Sequence, residues 1–126
     1  MNKRVLVLED NKQSLDLIEE ILAGEGYHVM AFNHYESVDN IFYFGPQLIL
    51  LDIRLSDGYG HLLCEDLKAD PATQSIPVIL ISAADNLEKI ARDCHADDFL
   101  PKPFDMNDLL QKVKQHLVDT DIASQF

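Results

Sequence analysis

The chain has 126 residues, 47% hydrophobic and 25% charged, with five glycines and five prolines. That is the size and make-up of one globular domain, and it excludes collagen-like, low-complexity and disulfide-scaffold classes. Ten Lys plus Arg against 22 Asp plus Glu give a formal net charge of −12, a field that repels nucleic-acid phosphates and anionic membrane surfaces.

Val5-Leu6-Val7-Leu8 is the first of several short, continuously apolar runs, the signature of strands covered on both faces. Leu15, Ile18 and Leu22 then recur at helical spacing, and Gly24 and Gly26 are the expected stop. Val29-Met30-Ala31-Phe32 predicts a second strand and Val38, Ile41 and Phe42 a second helix, whose end at Phe42, Tyr43 and Phe44 is expected to bury against the sheet. Gly45-Pro46 introduces a third strand, Leu48-Ile49-Leu50-Leu51, and Leu63 and Leu67 mark a third helix. Ile76-Pro77 leads into a fourth strand, Val78-Ile79-Leu80-Ile81, followed by helix-spaced Leu87, Ile90, Ala91 and Cys94. Phe99-Leu100 is a weaker fifth strand, and Leu109, Leu110, Val113 and Leu117 form a fifth helical stripe. Asp85 with Glu88, and Asp105 with Asp108, are the expected caps of the last two helices.

Five βα units with short connections predict an open α/β parallel sheet with helices on both faces, since a closed barrel needs eight units. Residues 1–118 are expected to form the domain and 119–126 a short, frayed polar tail, with no output domain. No apolar run approaches the ~20 residues of a membrane span, and no signal-peptide pattern precedes the first strand, so a cytoplasmic location is expected. Cys64 and Cys94 have no CxxC or Cys/His spacing and read as reduced packing residues. The five histidines are scattered with no HxxxH pair, which makes a zinc site a poor fit.

Ligands of open α/β sheets bind at the carboxyl ends of the strands. There the sequence places Glu9-Asp10 after strand one, Asp52 after strand three, Ser82 after strand four and Lys102-Pro103 after strand five. Asn33, after strand two, is expected to lie away from the site. Three carboxylates in one crevice repel unless a cation joins them, and hard oxygen donors select Mg²⁺ or Mn²⁺. With Lys102 and a divalent ion the charges of Glu9, Asp10 and Asp52 balance, and a carboxylate so neutralised is suited to attack a phosphoryl group. Ser82 is then placed to hydrogen-bond the product. Each of these residues alone reads equally well as a solvated strand end; their coincidence on four strand termini is what points to function.

Glu9-Asp10, Asp52-Ile53-Arg54-Leu55-Ser56-Asp57-Gly58-Tyr59-Gly60, Ser82-Ala83 and Lys102-Pro103 together resemble the receiver domains of bacterial two-component response regulators, the CheY-like superfamily. The resemblance spans nearly the whole chain. It implies a flavodoxin-like (βα)5 fold with strand order 2-1-3-4-5 and an aspartyl-phosphate switch. Asp52 would be the phosphoacceptor, and Asp10, Asp52 and the backbone carbonyl of Arg54 would ligate Mg²⁺, with Glu9 acting through water. Lys102, Ser82 and the Ala83 backbone N–H would bind the phosphoryl oxygens, and Phe99 would turn inward as Ser82 moves. The Lys102-Pro103 bond would be cis, and Arg54 and Ala84 would tune the lifetime of the phosphoryl group. Ser56 stands where receivers often have proline, and Phe99 where some have tyrosine. The implied partners are a histidine kinase or histidine phosphotransfer protein, docking near Asn11 to Leu22, and an output protein reading the fourth helix, fifth strand and fifth helix, Asp85 to Leu117. The domain would be a monomer or a phosphorylation-dependent dimer, and a signalling phosphoacceptor that assists its own phosphotransfer and autodephosphorylation, not a turnover enzyme.

Other readings fit less well. A haloacid dehalogenase-type phosphohydrolase wants Asp-x-Asp after strand one, where this chain has adjacent acids. FMN binding wants a Ser/Thr/Gly-rich loop there, and Glu9-Asp10 would repel its phosphate. Ser82 lies in no nucleophile elbow, which disfavours a serine hydrolase. A phosphorylation-independent scaffold has no use for the intact acidic pair, Asp52 and Lys102.

Overall fold

The structure, a computed structural model, describes residues 3–123, with side chains as far as residue 117. The first strand, β1 (Arg4–Leu8), leads into α1 (Lys12–Gly24), β2 (His28–Phe32), α2 (Val38–Phe44) and β3 (Leu48–Asp52). A hairpin of β4 (Arg54–Leu55) and β5 (Gly58–Tyr59) comes next, then α3 (Gly60–Ala69), β6 (Val78–Ser82), α4 (Leu87–Asp93), β7 (Asp98–Pro101) and α5 (Met106–Ala123). The main sheet has the order β2-β1-β3-β6-β7 with every pair parallel. The hairpin stands apart, so this is the expected 2-1-3-4-5 order of the five long strands. Its two-residue strands are too short to show as an apolar run, which is why the sequence pattern does not reveal them.

Alternation along the strands divides the interior in two. Leu6, Leu8, Ile49, Leu51, Val78 and Leu80 face α2, α3 and α4. Val5, Val7, Leu48, Leu50, Ile79 and Ile81 face α1 and α5, against Ile18, Leu22, Leu109 and Val113. β3 is buried at every residue, as a central strand covered on both faces should be. Cys64 and Cys94 are both buried and reduced, as expected.

Local chemistry sets most element ends. Asn11 caps α1, its side chain accepting from the Ser14 N–H at 2.9 Å, and Ser37 caps α2 by accepting from the Asn40 N–H. Gly45, at φ 64°, ends α2 in the left-handed conformation that glycine adopts without strain. Asp105 accepts from the Asp108 N–H at 2.8 Å, as expected for the start of α5. Two expectations fail. Asp85 does not cap α4; Asn86 occupies that position with φ −104° and ψ 31° and makes no side-chain cap bond, because its backbone is outside the extended region a capping side chain needs. Phe42 and Tyr43 are 56% and 89% exposed, since the two-turn α2 presents Ile41 and Phe44 to the sheet and turns the others outward. Only Phe44 packs inward of the three aromatics, stacked on Phe32 at 5.2 Å. The tail expected at 119–126 is helical as far as Ala123, and its remainder lies outside the described residues.

The chain leaves β1 for β2 on one side and then returns to place β3 on the other side of β1. The crevice of this topological switch opens at the carboxyl ends of β1 and β3. No helix among the described residues is long and apolar enough to cross a membrane.

Candidate functional site

Five segments meet at that crevice. Glu9 and Asp10 follow β1, Asp52 ends β3, Arg54 begins the hairpin, Ser82 ends β6, and Lys102 follows β7. A cleft of about 400 Å³ is lined by Asp10, Asp52, Arg54, Ser82 and Lys102, with Ala83 and Ala84 on its rim. Of the residues expected in the site, Glu9 and Pro103 do not line the cleft but adjoin it through Lys102, Glu9 by a hydrogen bond and Pro103 along the chain, and Phe99 lies farther back on β7 opposite Leu80. Asn33, after β2, is exposed and takes no part in the lining, as expected. A more apolar hollow of similar volume lies beside Leu17, Ile18 and Phe104, but among the described residues Lys102 is the only titratable group that borders it. The chemistry therefore belongs to the acidic cleft.

Glu9 is buried, 1% exposed. The Lys102 ammonium donates to Glu9 Oε1 at 2.5 Å and lies 3.6 Å from Asp52 Oδ2. The other Glu9 oxygen, Oε2, is buried with no hydrogen-bond partner. Burial first, and the neighbouring Asp52 carboxylate second, push the Glu9 carboxyl up to about 7, against the pull of Lys102. Asp52 is 8% exposed, and its Oδ1 accepts from the Arg54 N–H at a long 3.4 Å. Ser82 Oγ accepts from the Ala84 N–H at 3.0 Å, which holds the hydroxyl at the turn after β6.

A divalent hard cation fits this donor set. One lysine faces several carboxylates, one carboxylate oxygen is buried without a partner, and one carboxyl is pushed toward protonation by its burial and by the Asp52 carboxylate beside it. Among the described residues no three His, Cys, Asp or Glu side chains stand together as a group that could hold a metal ion. The expected set asks for less, with two directly bound carboxylates, a backbone carbonyl and water. That is the pattern of an ion that keeps part of its hydration shell.

The Lys102-Pro103 peptide bond is cis, as the resemblance implied. Phe99 is half-buried on the side of the sheet that carries α3 and α4. Of the histidines, His28, His34 and His95 are exposed, and His61 and His116 are half-buried.

Two features of this region have no sequence-level assignment. Gly60 begins α3 so close to β3 that an added Cβ would lie 1.9 Å from the Asp52 carbonyl oxygen. A glycine eight residues beyond a strand-end acid was the available signal, but the close approach it serves is a tertiary fact. The second is Lys112, whose ammonium lies 5.5 Å from the Phe99 ring centroid and donates to Asp98. Nothing in the local pattern of α5 singles that lysine out.

Comparison with known proteins agrees with the geometry. Residues 5–114 match the family model described as the response regulator receiver domain. A CheY-like response regulator receiver domain protein from Methanospirillum hungatei superposes with a TM-score of 0.82 at 27% identity, covering 98% of this chain and 99% of that one. A two-component response regulator from Clostridium difficile gives 0.80 at 28% identity, covering 92% and 96%. The receiver domain of a sensor histidine kinase from Pseudomonas aeruginosa, solved with a magnesium ion coordinated in its active-site cleft, gives 0.79 at 25% identity, covering 91% and 97%. With the family model matched over most of its length and the acidic cleft at the expected switch point, this chain belongs to the response regulator receiver domains, the phosphoacceptor modules of two-component signalling.

Proposed function

We propose that Asp52 is the phosphoacceptor and that the chain takes its phosphoryl group from a phosphohistidine of a histidine kinase or histidine phosphotransfer protein. The observation that carries this reading is the position of Asp52, at the end of the central strand with one carboxylate oxygen 3.6 Å from the Lys102 ammonium, on an open cleft. An Asp52 carboxylate oxygen attacks phosphorus, the P–N bond breaks and the electron pair leaves with the imidazole. Lys102 then exchanges part of its bond to Glu9 for the phosphoryl oxygens, joined by the Ser82 hydroxyl and the Ala83 N–H.

Asp10, Asp52 and the Arg54 carbonyl would hold Mg²⁺ or Mn²⁺, with Glu9 acting through water. When bound, the ion neutralises the carboxylates and the charge on the transferring oxygens. Arg54 and Ala84, on the cleft wall and rim, tune access of water to the acyl phosphate and hence its lifetime. Ser82 draws toward the phosphoryl group and Phe99 turns into the space it leaves, changing the α4–β7–α5 face read by an output partner. The apolar hollow beside Leu17, which is 54% exposed, and Ile18 supports kinase docking along α1. Residues 1–118 serve as the receiver unit, acting in the cytoplasm.

The test is covalent phosphorylation read by intact mass, with a small-molecule phosphodonor, for wild type and Asp52→Asn with and without Mg²⁺. Modification of the wild type alone, and only with metal, is expected. Equal Mg²⁺-dependent modification of Asp52→Asn removes the site assignment.

A further inference from the structure

On the edge strand β7 one carboxylate organises three groups. Asp98 Oδ1 accepts from the Phe99 N–H at 2.8 Å and from Lys112 Nζ at 2.7 Å, and Oδ2 pairs with His116 Nε2 at 2.9 Å. Asp98, Lys112 and His116 are only 16%, 31% and 19% exposed. Burial alone would push the Asp98 carboxyl up, but the bonds from Lys112, His116 and the Phe99 N–H outweigh it and hold it below its ordinary range. The carboxylate is therefore charged and fully engaged, and the Lys112 ammonium is fixed in place.

That fixed ammonium has a second neighbour. Phe99 points to the α3–α4 side of the sheet and Leu100 to the α1–α5 side. Lys112 belongs to α5, yet its side chain reaches past the sheet edge to bring Nζ within 5.5 Å of the Phe99 ring centroid, inside the range where a cation is drawn to an aromatic face. Beside the ring lies a shallow hollow between α4 and β7, lined by Glu88, Ala91, Arg92 and Ala96. Neighbouring structure thus leaves open space on that flank, and the ring is held from the α5 side.

We propose that Lys112 is a positioning residue of the phosphorylation switch: tethered by Asp98, its ammonium holds the Phe99 ring in the orientation seen here and so biases the unphosphorylated domain toward its resting state. This rests on the reading of Phe99 as the switch ring. Phosphorylation at Asp52 must then draw the ring away from the cation, and that contact is lost only in the switched state. A ligand that favours one of two states binds more weakly by the fraction of molecules in the wrong one. Removing a contact unique to the resting state therefore tightens binding of anything that selects the switched state.

Lys112→Met keeps most of the aliphatic stem and removes the charge. The probe is trifluoroberyllate with Mg²⁺, an analogue of the phosphoryl group, titrated into the full chain while the Phe99 ring is followed by aromatic NMR. Apparent affinity is expected to rise about two- to fivefold, the range of a partly exposed cation–π contact, with the free-state Phe99 resonance shifting toward the bound position. Lys112→Arg, which preserves both the ion pair and the contact with the ring, is expected to restore wild-type behaviour.

Phe99→Leu separates the causes. The effect of Lys112→Met is expected to vanish in the Phe99→Leu background, as a double-mutant cycle requires when two residues act through each other. A weaker affinity in both backgrounds would mean that Lys112 contributes only positive charge toward an anion, and would overturn the proposal. An unchanged affinity, or a tightening that persists without the ring, would overturn it too. If wild-type protein shows no Mg²⁺-dependent response to the probe, the phosphoacceptor reading itself fails; if it responds and Lys112→Met does not differ, only the role of Lys112 fails.

Discussion

Replacing Gly60 by alanine tests how tightly the phosphoacceptor strand is packed against the helix that follows it. A Cβ at Gly60 would lie 1.9 Å from the Asp52 carbonyl oxygen, 2.9 Å from the Asp52 carbonyl carbon and 3.1 Å from Leu51 Cγ. The first contact is about 1.5 Å short of ordinary van der Waals separation. Neither side yields easily, because β3 is paired to β1 and β6 along its length and the Gly60 N–H donates to the Ile53 carbonyl at 2.6 Å. Overpacking of this kind costs about 1–3 kcal/mol, and with backbone on both sides the upper end applies. Alanine's better helix propensity returns up to about 1 kcal/mol. The net loss is about 2 kcal/mol, or roughly 6–12 °C in Tm for a domain of this size. Gly58 is the internal control: there a Cβ would meet the Tyr35 ring at 2.6 Å, a half-buried side chain and not backbone, so Gly58→Ala should cost less than Gly60→Ala. Thermal unfolding followed by circular dichroism measures both, and phosphorylation by a small donor should slow about tenfold or more in Gly60→Ala alone, since the displaced carbonyl belongs to Asp52. A Gly60→Ala protein within 2 °C of wild type (about 0.5 kcal/mol), or a Gly58→Ala protein that suffers more, would refute the reasoning.

Glu9→Gln should remove a pH dependence from the metal-free protein. The Glu9 carboxyl sits at about 7 in the folded chain against 4.5 for the ordinary group, so wild-type stability should decline by about 3 kcal/mol as pH rises from about 4.5 to 7 and level off above. Urea unfolding in a chelator should show that slope flattened in Glu9→Gln, and an unchanged slope counts against the burial argument. Asp98 carries the opposite sign. Its carboxyl is held below 3.8, so its contribution is present above that value and lost as pH falls through the lower folded one; Asp98→Asn should be the less stable protein at pH 7, with the difference closing on acidification. Lys68, 11% exposed, donates to the Gln74 and Ile76 carbonyls at 3.2 and 2.8 Å and to Asp97 at 2.6 Å. Lys68→Met should cost about 2 kcal/mol, less than a fully buried pair because Asp97 remains partly solvated, and should speed exchange of the Val78 amide, which donates to the same Asp97 carboxylate.

What could be read without the structure is what short stretches of chain encode. Continuous apolar runs and helix-spaced stripes follow from which faces an element must bury, so the βα alternation and both halves of the core were legible from positions such as Leu51 and Ile41 on one side and Val5 and Val113 on the other. So was the capping role of Asp105, a bond between residues three apart, and the presence of acids and a lysine at strand ends, because the site's location is a property of the fold class.

Only the tertiary structure decided how these parts meet. It sets Lys102 on Glu9 at closer range than on Asp52, a choice between two acids made by the relative height of three strand ends. It exposes Phe42 and Tyr43, which composition alone assigns to the core, because a seven-residue helix ended by Gly45 has one inward face to offer. It also demands glycine at position 60 and lays Lys112 over Phe99 across the edge of the sheet. The separation has a physical reason: hydrophobic periodicity and caps are interactions among near neighbours, while ion-pair choice and close backbone approach depend on distances between segments far apart in sequence.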